Sequence, residues 1–476
     1  MTSLHTPACD LLGCRHPVVL AGMGGVARAE LVSAVTAAGG FGFLGMVREP
    51  PELIRQEVGA VRRAGHERFG VNLIPAATPP ALLEAELAAV IDLGVPVVCL
   101  FWDIDVDIVQ RLREAGILVV YQVGSADEAQ AAERAGAQLV IAQGVEAGGH
   151  VRGTQALWQL LPRVCDAVTV PVLAAGGMSD GADLVAAMGV GAQGIVLGTA
   201  MIATPESFAH EVHKQRLLAA GAEDTVLTHA FHINWPKDAA VRVLSTEVTS
   251  GGRGDPFSSD RQVIGDEAGR PIYLFSTDSP LRTMTGEFEA MALYAGKGVG
   301  RIDRLMGAGE RLAEVLETAA AILLPPAATA SVETSSPVCY AADVDPEYMG
   351  YLGRPALAER LGALAGLARA ALLESLSRQG PGALSAETRR NARWATLLGR
   401  LPGQPGPNVQ AGQLGELVDA APSGRLVAAA RALLPVVADT GVRAILSALV
   451  NELGGDAGAE DATPLKSWQG GRVMPG

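Results

Sequence analysis

The chain has 476 residues, of which 49% are hydrophobic and only 4% aromatic, and its formal net charge is −14 at pH 7. This length exceeds that of one ordinary domain and predicts a large domain followed by a smaller one. The negative charge and the lack of any basic stripe in the sequence argue against a nucleic-acid partner.

Eight short apolar runs alternate with amphipathic segments between Pro17 and Ala203. The runs are residues 18–23, 42–44, 70–74, 97–101, 118–123, 139–142, 172–175 and 194–197. Several consist of Val, Ile and Leu without polar alternation, which is typical of strands buried on both faces. The intervening segments carry helix signals, such as Ser125 with Glu128 three residues later and a terminal Gly136. The alternation predicts an α/β fold, a closed (β/α)8 TIM barrel, with an open doubly wound sheet as the alternative.

Beyond Glu206 the sequence predicts more helix than strand. Residues 250–266 have the composition of a polar loop, and residues 283–323 predict two helices around a glycine-rich stretch at 296–300, which matches nucleotide motifs only weakly. Prolines mark residues 325–338 as a linker. Helical periodicity at 355–378, 386–399 and 424–453 predicts an all-helical C-terminal domain. The predicted organisation is therefore a barrel domain over 1–324, a linker over 325–338 and a helical domain over 339–476.

Glycine-rich clusters follow several of the predicted strands, at the face where barrel enzymes place their sites. After the first strand, the glycines around Met23 and Gly24 would let the backbone approach a flat ligand closely, although a plain tight turn is the alternative. Gly176 and Gly177 follow the seventh strand, and Gly198-Thr199 follows the eighth. Loops at these two positions commonly bind phosphate through backbone N–H groups, so we expect a phosphate site there.

The loop after the sixth strand presents one imidazole among small residues. It runs from Gln143 through Gly148 and Gly149 to His150. Histidine titrates near neutral pH and can act as a general base or as a hydrogen-bond donor. Glu146 is the alternative base, although we interpret it as a structural anchor for the loop.

Two polar residues interrupt buried runs and need hydrogen-bonding partners. These are Asn72 in the third run and Gln122 in the fifth. The polar edge of a flavin would satisfy both, and neighbouring loops are the alternative.

His210 and His213 are spaced so that both could bind a metal from one helix, but no third ligand has a compelling position. We therefore predict no metal site.

Together these motifs resemble the nitronate monooxygenase family, formerly called 2-nitropropane dioxygenases. The resemblance runs from about Pro17 to Thr318 and depends most on Glu-Ala-Gly-Gly-His, ending at His150, with Ala-Gly-Gly following about 25 residues later. Enoyl-ACP reductases that use FMN, and NADH:quinone reductases, are similar in both segments. The alternative activity is therefore NAD(P)H-dependent reduction of enoyl thioesters or quinones.

The resemblance implies that FMN is bound across the barrel mouth. The residues that would hold it are Gly176, Gly177, Gly198 and Thr199 at the phosphate, Met23 and Gly24 under the ring, and Asn72, Gln122 and Gln143 along the polar edge. It further implies that His150, beside the reactive flavin nitrogen, is catalytic. The implied reaction oxidises alkyl nitronates with O2 to a carbonyl compound plus nitrite, without NADH, and the chemistry belongs to the cofactor.

Two departures from the family pattern are present. Many relatives carry a Lys near the position of Gln122, and the region after Leu324 has no counterpart in the family. That region could cap the site, build a homodimer or dock a carrier protein. Otherwise the expected partners are a small-molecule substrate and O2. With no apolar run of about 18 residues, no signal-peptide pattern and five irregularly spaced cysteines, we expect no membrane partner and a cytoplasmic location.

Overall fold

The computed structural model describes residues 4–236, 238–323, 354–379, 382–400, 422–434 and 440–454. Eight parallel strands within them close into a barrel, which confirms the predicted TIM-barrel architecture. The barrel strands are β1 (Val18–Leu20), β2 (Phe41–Gly45), β3 (Gly70–Leu73), β4 (Val97–Phe101), β5 (Leu118–Val123), β6 (Leu139–Gln143), β8 (Val172–Ala175) and β9 (Ile195–Leu197). The barrel closes where β1 pairs with β9, through Val19 and Val196. A further short strand, β7 (Gly149–Val151), lies outside the barrel.

Helices cover the outside of the barrel, and one helix closes its amino-terminal end. They are α1 (Pro7–Leu12), α2 (Ala29–Ala37), α3 (Pro51–Arg63), α4 (Pro80–Asp92), α5 (Val106–Glu114), α6 (Ala126–Ala135), α7 (Leu157–Ala167) and α8 (Gly181–Val190). Ala8 and Leu12 of α1 pack among the side chains that fill the barrel interior, such as Phe41 and Phe43. Because that end is filled, a ligand can enter the barrel only at the carboxyl ends of the strands.

After β9 the chain builds a second lobe over the barrel mouth. Its elements are α9 (Thr199–Ile202), α10 (Glu211–Leu218), β10 (Thr225–Thr228), β11 (Ala240–Leu244), β12 (Val263–Glu267), β13 (Arg270–Tyr273) and β14 (Thr285–Gly286). Helix α11 (Ala308–Leu323) follows this lobe and packs on the outside of the barrel against α8 and α2. Helical residues outnumber strand residues beyond Glu206, as the sequence predicts, but the five strands β10–β14 of this lobe were not predicted. The first of the two helices predicted over 283–323 is also absent, since residues 283–307 form turns, β14 and short 3-10 segments. Met291, Leu293 and Val299 there are buried in the core of this lobe, so tertiary packing decided their conformation.

Four further helices pack beside the barrel. They are α12 (Arg354–Ser377), α13 (Ala386–Gly399), α14 (Pro422–Leu433) and α15 (Thr440–Gly454), and the predicted linker lies outside the described residues. Their apolar side chains form one continuous core with those of the barrel helices. The main contact joins α13 to α8. There Gly189 of α8 faces Ala395 of α13 and Leu372 of the neighbouring α12. Among the residues described, no helix combines the length and apolarity that crossing a membrane requires.

Candidate active site

The carboxyl ends of the barrel strands open into a cavity of about 450 Å³. All twelve site residues predicted from the sequence line it, namely Met23, Gly24, Asn72, Gln122, Gln143, Gly148, Gly149, His150, Gly176, Gly177, Gly198 and Thr199. They come together because the carboxyl ends of parallel strands meet at one rim of a barrel. The fold therefore gathers into one cavity residues that are spread over nearly 180 positions of sequence.

Two glycines keep open space at the cavity wall. A Cβ atom at Gly24 would have no neighbour within 4 Å, and one at Gly198 would touch only Ala21 and Met23, at 3.8 Å. At Gly45, by contrast, a Cβ would lie 1.9 Å from the carbonyl oxygen of Met23, so that glycine serves tight packing. Side chains at 24 and 198 would instead fill the cavity itself.

The loops after β8 and β9 present main-chain amides that lack protein partners. Within the ranges that the structure describes, no protein group accepts a hydrogen bond from the N–H of Gly176, Gly177 or Gly198. Gly176 and Gly177 have φ of 110° and 71°, in the left-handed region that favours glycine. The two loops are neighbours because Ala175 pairs with Val196. Successive amides of this kind form an anion site, so the residues present fit a phosphate group.

A buried ion pair fixes the Gly177 loop against the start of α8. Arg301 Nη1 lies 2.9 Å from a carboxylate oxygen of both Asp180 and Asp183, and Arg301 Nη2 donates to the carbonyl oxygen of Gly177. Asp183 also accepts from the amide of Ser179, at 2.7 Å. The phosphate-sized site is thus positioned by the amino-terminal end of one helix.

The glycine-rich stretch at 296–300 belongs to this site. A Cβ at Gly296 would lie 2.9 Å from the amide nitrogen of Gly148, and one at Gly298 would lie 2.7 Å from the carbonyl oxygen of Gly177. Gly296 N donates to Thr199 Oγ1 at 2.9 Å. The sequence showed these glycines, but nothing local indicated that they pack against two barrel loops.

His150 lies in β7, whose pairing with β11 places it opposite Val241. Its ring stacks on Trp235, with centroids 3.4 Å apart and planes 21° apart, and the Tyr294 ring lies at 5.9 Å. Nε2 is buried and has no hydrogen-bond partner among the described residues. Burial lowers the pKa of His150 to about 3, so the imidazole is neutral at pH 7. It offers one unused nitrogen to a ligand in the cavity.

Hydrogen bonds between side chains and main-chain groups hold the loop that carries His150. Gln143 Nε2 donates to the carbonyl oxygen of His150 at 2.9 Å, and Arg242 Nε donates to that of Val145 at 2.8 Å. Glu146 Oε2 accepts from the amide of Leu157 at 2.9 Å, which confirms its interpretation as an anchor. The loop is therefore fixed before any ligand binds.

The polar side chains of the strand interiors differ in whether they form hydrogen bonds within the protein. Asn72 Nδ2 donates to the carbonyl oxygen of Cys99 at 3.2 Å. The carboxamide of Gln122 makes no hydrogen bond to the residues described. Gln122 is therefore the member of this group with most capacity left for a ligand.

The two histidines considered for metal binding have structural contacts instead. His210 Nδ1 accepts from the amide of Val212 at the start of α10, and His213 Nε2 lies 3.0 Å from the carbonyl oxygen of Tyr294. In the described ranges, no group of three His, Cys, Asp or Glu side chains is placed to hold a metal ion.

A TIM barrel whose phosphate-sized amide site shares one cavity with an imidazole fits an enzyme that binds a phosphorylated ligand at the barrel mouth. The family model described as nitronate monooxygenase matches residues 5–318, and the chain belongs to this family. The family resemblance predicted from the sequence is thereby confirmed.

Two curated relatives each match just under half of the chain. A (3aS,4S,5R,7aS)-5-hydroxy-7a-methyl-1-oxo-octahydro-1H-indene-4-carboxyl-CoA dehydrogenase of Mycobacterium tuberculosis is 40% identical, over 47% of this chain and 63% of that protein. The chain thus spans less than two thirds of that relative. A "Probable nitronate monooxygenase" of Staphylococcus haemolyticus is 32% identical, over 46% of this chain and 74% of that protein.

Two solved structures each resemble about two thirds of the chain. FabK from Thermotoga maritima has a TM-score of 0.58 and 28% identity, over 67% of this chain and 96% of that one. Nitroalkane oxidase from Streptomyces ansochromogenes has a TM-score of 0.54 and 29% identity, over 66% of this chain and 98% of that one.

Proposed function

We propose that the chain binds FMN at the barrel mouth and oxidises alkyl nitronates with O2 to a carbonyl compound plus nitrite. The observation that carries the cofactor proposal is the set of unpartnered amides at Gly176, Gly177 and Gly198. They would form one phosphate site, as a mononucleotide requires, and Thr199 starts the short helix beside them. The free space at Gly24 supports a flat ring lying close to the main chain.

The other predicted residues would surround the ring. Met23 and Gly24 would contact its face, and Gln122 would hydrogen-bond its polar edge together with Asn72, while Gln143 braces the loop of His150. Bound flavin would supply the electron-accepting chemistry, and the protein supplies orientation and a dry setting.

His150 would bind the substrate through Nε2. A neutral imidazole can offer either a donor or an acceptor at that atom, depending on which nitrogen carries the proton. The stack on Trp235 and the pairing of β7 with β11 fix the orientation of the ring that the nitronate would contact.

One comparison favours a second candidate, an NAD(P)H-dependent reaction on a thioester. The mycobacterial relative at 40% identity is named a carboxyl-CoA dehydrogenase.

Anaerobic mixing of the purified yellow protein with NADH, with NADPH, or with ethylnitronate distinguishes the two candidate functions. Prompt bleaching of the flavin by a reduced nicotinamide, and recovery of colour on adding an enoyl thioester, would contradict the nitronate proposal, whereas bleaching by nitronate alone supports it. Release of the flavin by heating identifies it as FMN or another form.

The replacement Gly198→Val is expected to weaken FMN binding at least about tenfold, which corresponds to about 1.4 kcal/mol, without unfolding the protein. The new side chain would enter the open space at the cavity wall, where nothing but Ala21 and Met23 lies within 4 Å. Fluorescence titration of the apoprotein with FMN measures the affinity, and thermal unfolding of the apoprotein measures stability. Gly366→Ala, which also meets open space but lies on α12, is the matched control. Equal FMN affinity in Gly198→Val and wild type would place the cofactor elsewhere.

A further inference from the structure

Arg48 is a cation at the cavity wall that has no ionic partner. It follows β2 and lines the same cavity as His150. Nη1 donates to the carbonyl oxygen of Asn234 at 3.3 Å, while Nε is buried and has no hydrogen-bond partner among the described residues. No carboxylate of those residues lies within 4 Å of the guanidinium, and burial lowers the pKa of Arg48. A half-buried cation without an ionic partner gains Coulomb energy from an anion that enters the cavity.

The other charged residues of the cavity wall are already paired. Arg270 lies within 3 Å of carboxylate oxygens of both Glu267 and Asp278, and Glu49 lies 2.9 Å from Arg28. Asp278 and Arg270 also act on Arg48 from a distance, with opposite signs. Arg48 is therefore the charged residue of the described cavity lining that retains full capacity for a direct ionic contact.

A buried carboxyl group holds the loop of Arg48 without neutralising its charge. Glu86 of α4 is fully buried, and its Oε1 accepts from the amide of Glu49 at 3.0 Å. Burial raises the pKa of Glu86 to about 8, so this group is mainly neutral at pH 7. Arg48 itself has a φ of 60°. Non-glycine residues in this left-handed region are uncommon and cluster at functional sites.

Arg48 and His150 reach the same loop of the second lobe. Arg48 contacts the carbonyl oxygen of Asn234, and the next residue, Trp235, stacks on the His150 ring. Because Asn234 occupies Nη1 and Nε is buried, Nη2 is the donor of the guanidinium that remains available. It can donate a charge-assisted hydrogen bond to a carboxylate oxygen.

We propose that Arg48 binds an anionic group of the substrate, a carboxylate carried at the end away from the reacting carbon, while His150 contacts the reacting end. The assignment rests on the proposed nitronate oxidation, and it makes Arg48 a specificity-determining residue. A substrate that carries a neutral group at that end would fit the cavity but would not make the ionic contact with Arg48.

The test compares Arg48→Met in the holoenzyme with two substrates, propionate-3-nitronate and the neutral propyl-1-nitronate. Loss of a hydrogen-bonded charge contact is expected to raise KM for the carboxylate substrate about 10- to 100-fold, with little change in kcat. KM for propyl-1-nitronate should be unchanged, and Arg48→Lys should restore part of the difference. Arg55→Met, on the exposed face of α3, is the control. Equal changes for both substrates, or none, would overturn the proposal.

A binding assay keeps this inference separate from the proposed reaction. Titration of the holoenzyme with 3-nitropropionate and with 1-nitropropane, followed by the flavin absorbance, needs no turnover. Weaker binding of 3-nitropropionate alone in Arg48→Met supports the assignment even if no nitronate is oxidised. If Arg48→Met weakens binding of acetyl-CoA but leaves 3-nitropropionate unchanged, the anion is a phosphate and the carboxylate assignment is wrong. Unchanged flavin content in Arg48→Met is also expected, and loss of flavin would overturn the assignment by placing Arg48 at the cofactor.

Discussion

Replacing His150 with alanine is expected to leave flavin binding intact and to lower kcat for nitronate oxidation by about 10²–10⁴-fold. The effect is large because Nε2 of His150 is buried beside Trp235 at the cavity wall and has no hydrogen-bond partner among the described residues. Flavin binding should survive because the amides of the phosphate site belong to other loops. Oxygen consumption at saturating nitronate, normalised to bound flavin, measures the loss. Full activity in the alanine variant would remove His150 from the reaction.

The pH profile tests the protonation state of the same residue. Burial lowers the pKa of His150 to about 3, so the ring stays neutral when the pH falls below the ordinary value near 6.5. Between pH 8 and 5, kcat/KM should therefore show no inflection that belongs to His150. Profiles of the wild type and of His150→Gln should have the same shape. An acidic limb near pH 6.5 that disappears in His150→Gln would contradict this assignment.

A chain that ends at Leu323 is expected to be poorly soluble or strongly destabilised. Helix α8 would lose its outer covering, since Gly189 faces Leu372 and Ala395 there. Thr396 also donates to the carbonyl oxygen of Val185 at 2.8 Å. Exposing one buried apolar side chain costs roughly 1.5–3 kcal/mol, so the loss of cover over a few of them is comparable with the whole stability of a typical domain, about 5–15 kcal/mol. Soluble yield, size-exclusion profile and flavin content, each against the full chain, measure the effect.

A single substitution addresses the same interface in the full chain. Ala395→Asp would place a carboxylate in the buried contact with Gly189, and it should lower the free energy of unfolding by several times the change in Arg389→Asp. Arg389 lies on the exposed side of the same helix, α13, where substitutions usually change stability by about 0.5 kcal/mol or less. If the shortened chain stays monodisperse and flavin-loaded with an unchanged melting temperature, the C-terminal helices are accessory and the interface argument fails.

The barrel could be predicted because each unit carries local signals that agree with the fold. The Ser125 side chain accepts from the amide of Glu128, and Gly136 ends the helix with a φ of 114°, as the sequence indicated. The glycine loops were predictable for a similar reason, since their position after a strand fixes their place at the rim.

The rest of the site depends on contacts that no local pattern specifies. Trp235 and Tyr294 come from loops of the second lobe and reach His150 only through the pairing of β11 with β7. Arg48 has no signal beyond its place after a strand. Residues 283–307 were predicted as helix from their apolar content, whereas burial against the second lobe determined their fold.

Helix α8 contacts a different part of the molecule at each of its two ends. Its first turn holds the Gly177 loop through Arg301, and its last turn supports α13. Flavin binding near the first turn and folding of helices α12–α15 near the last turn are therefore coupled through α8. Thermodynamic linkage then requires that flavin stabilises these helices by the same free energy by which the helices strengthen flavin binding. Saturating the protein with flavin should protect amide hydrogens of α13 from exchange with solvent deuterium, far from any atom that the cofactor would touch.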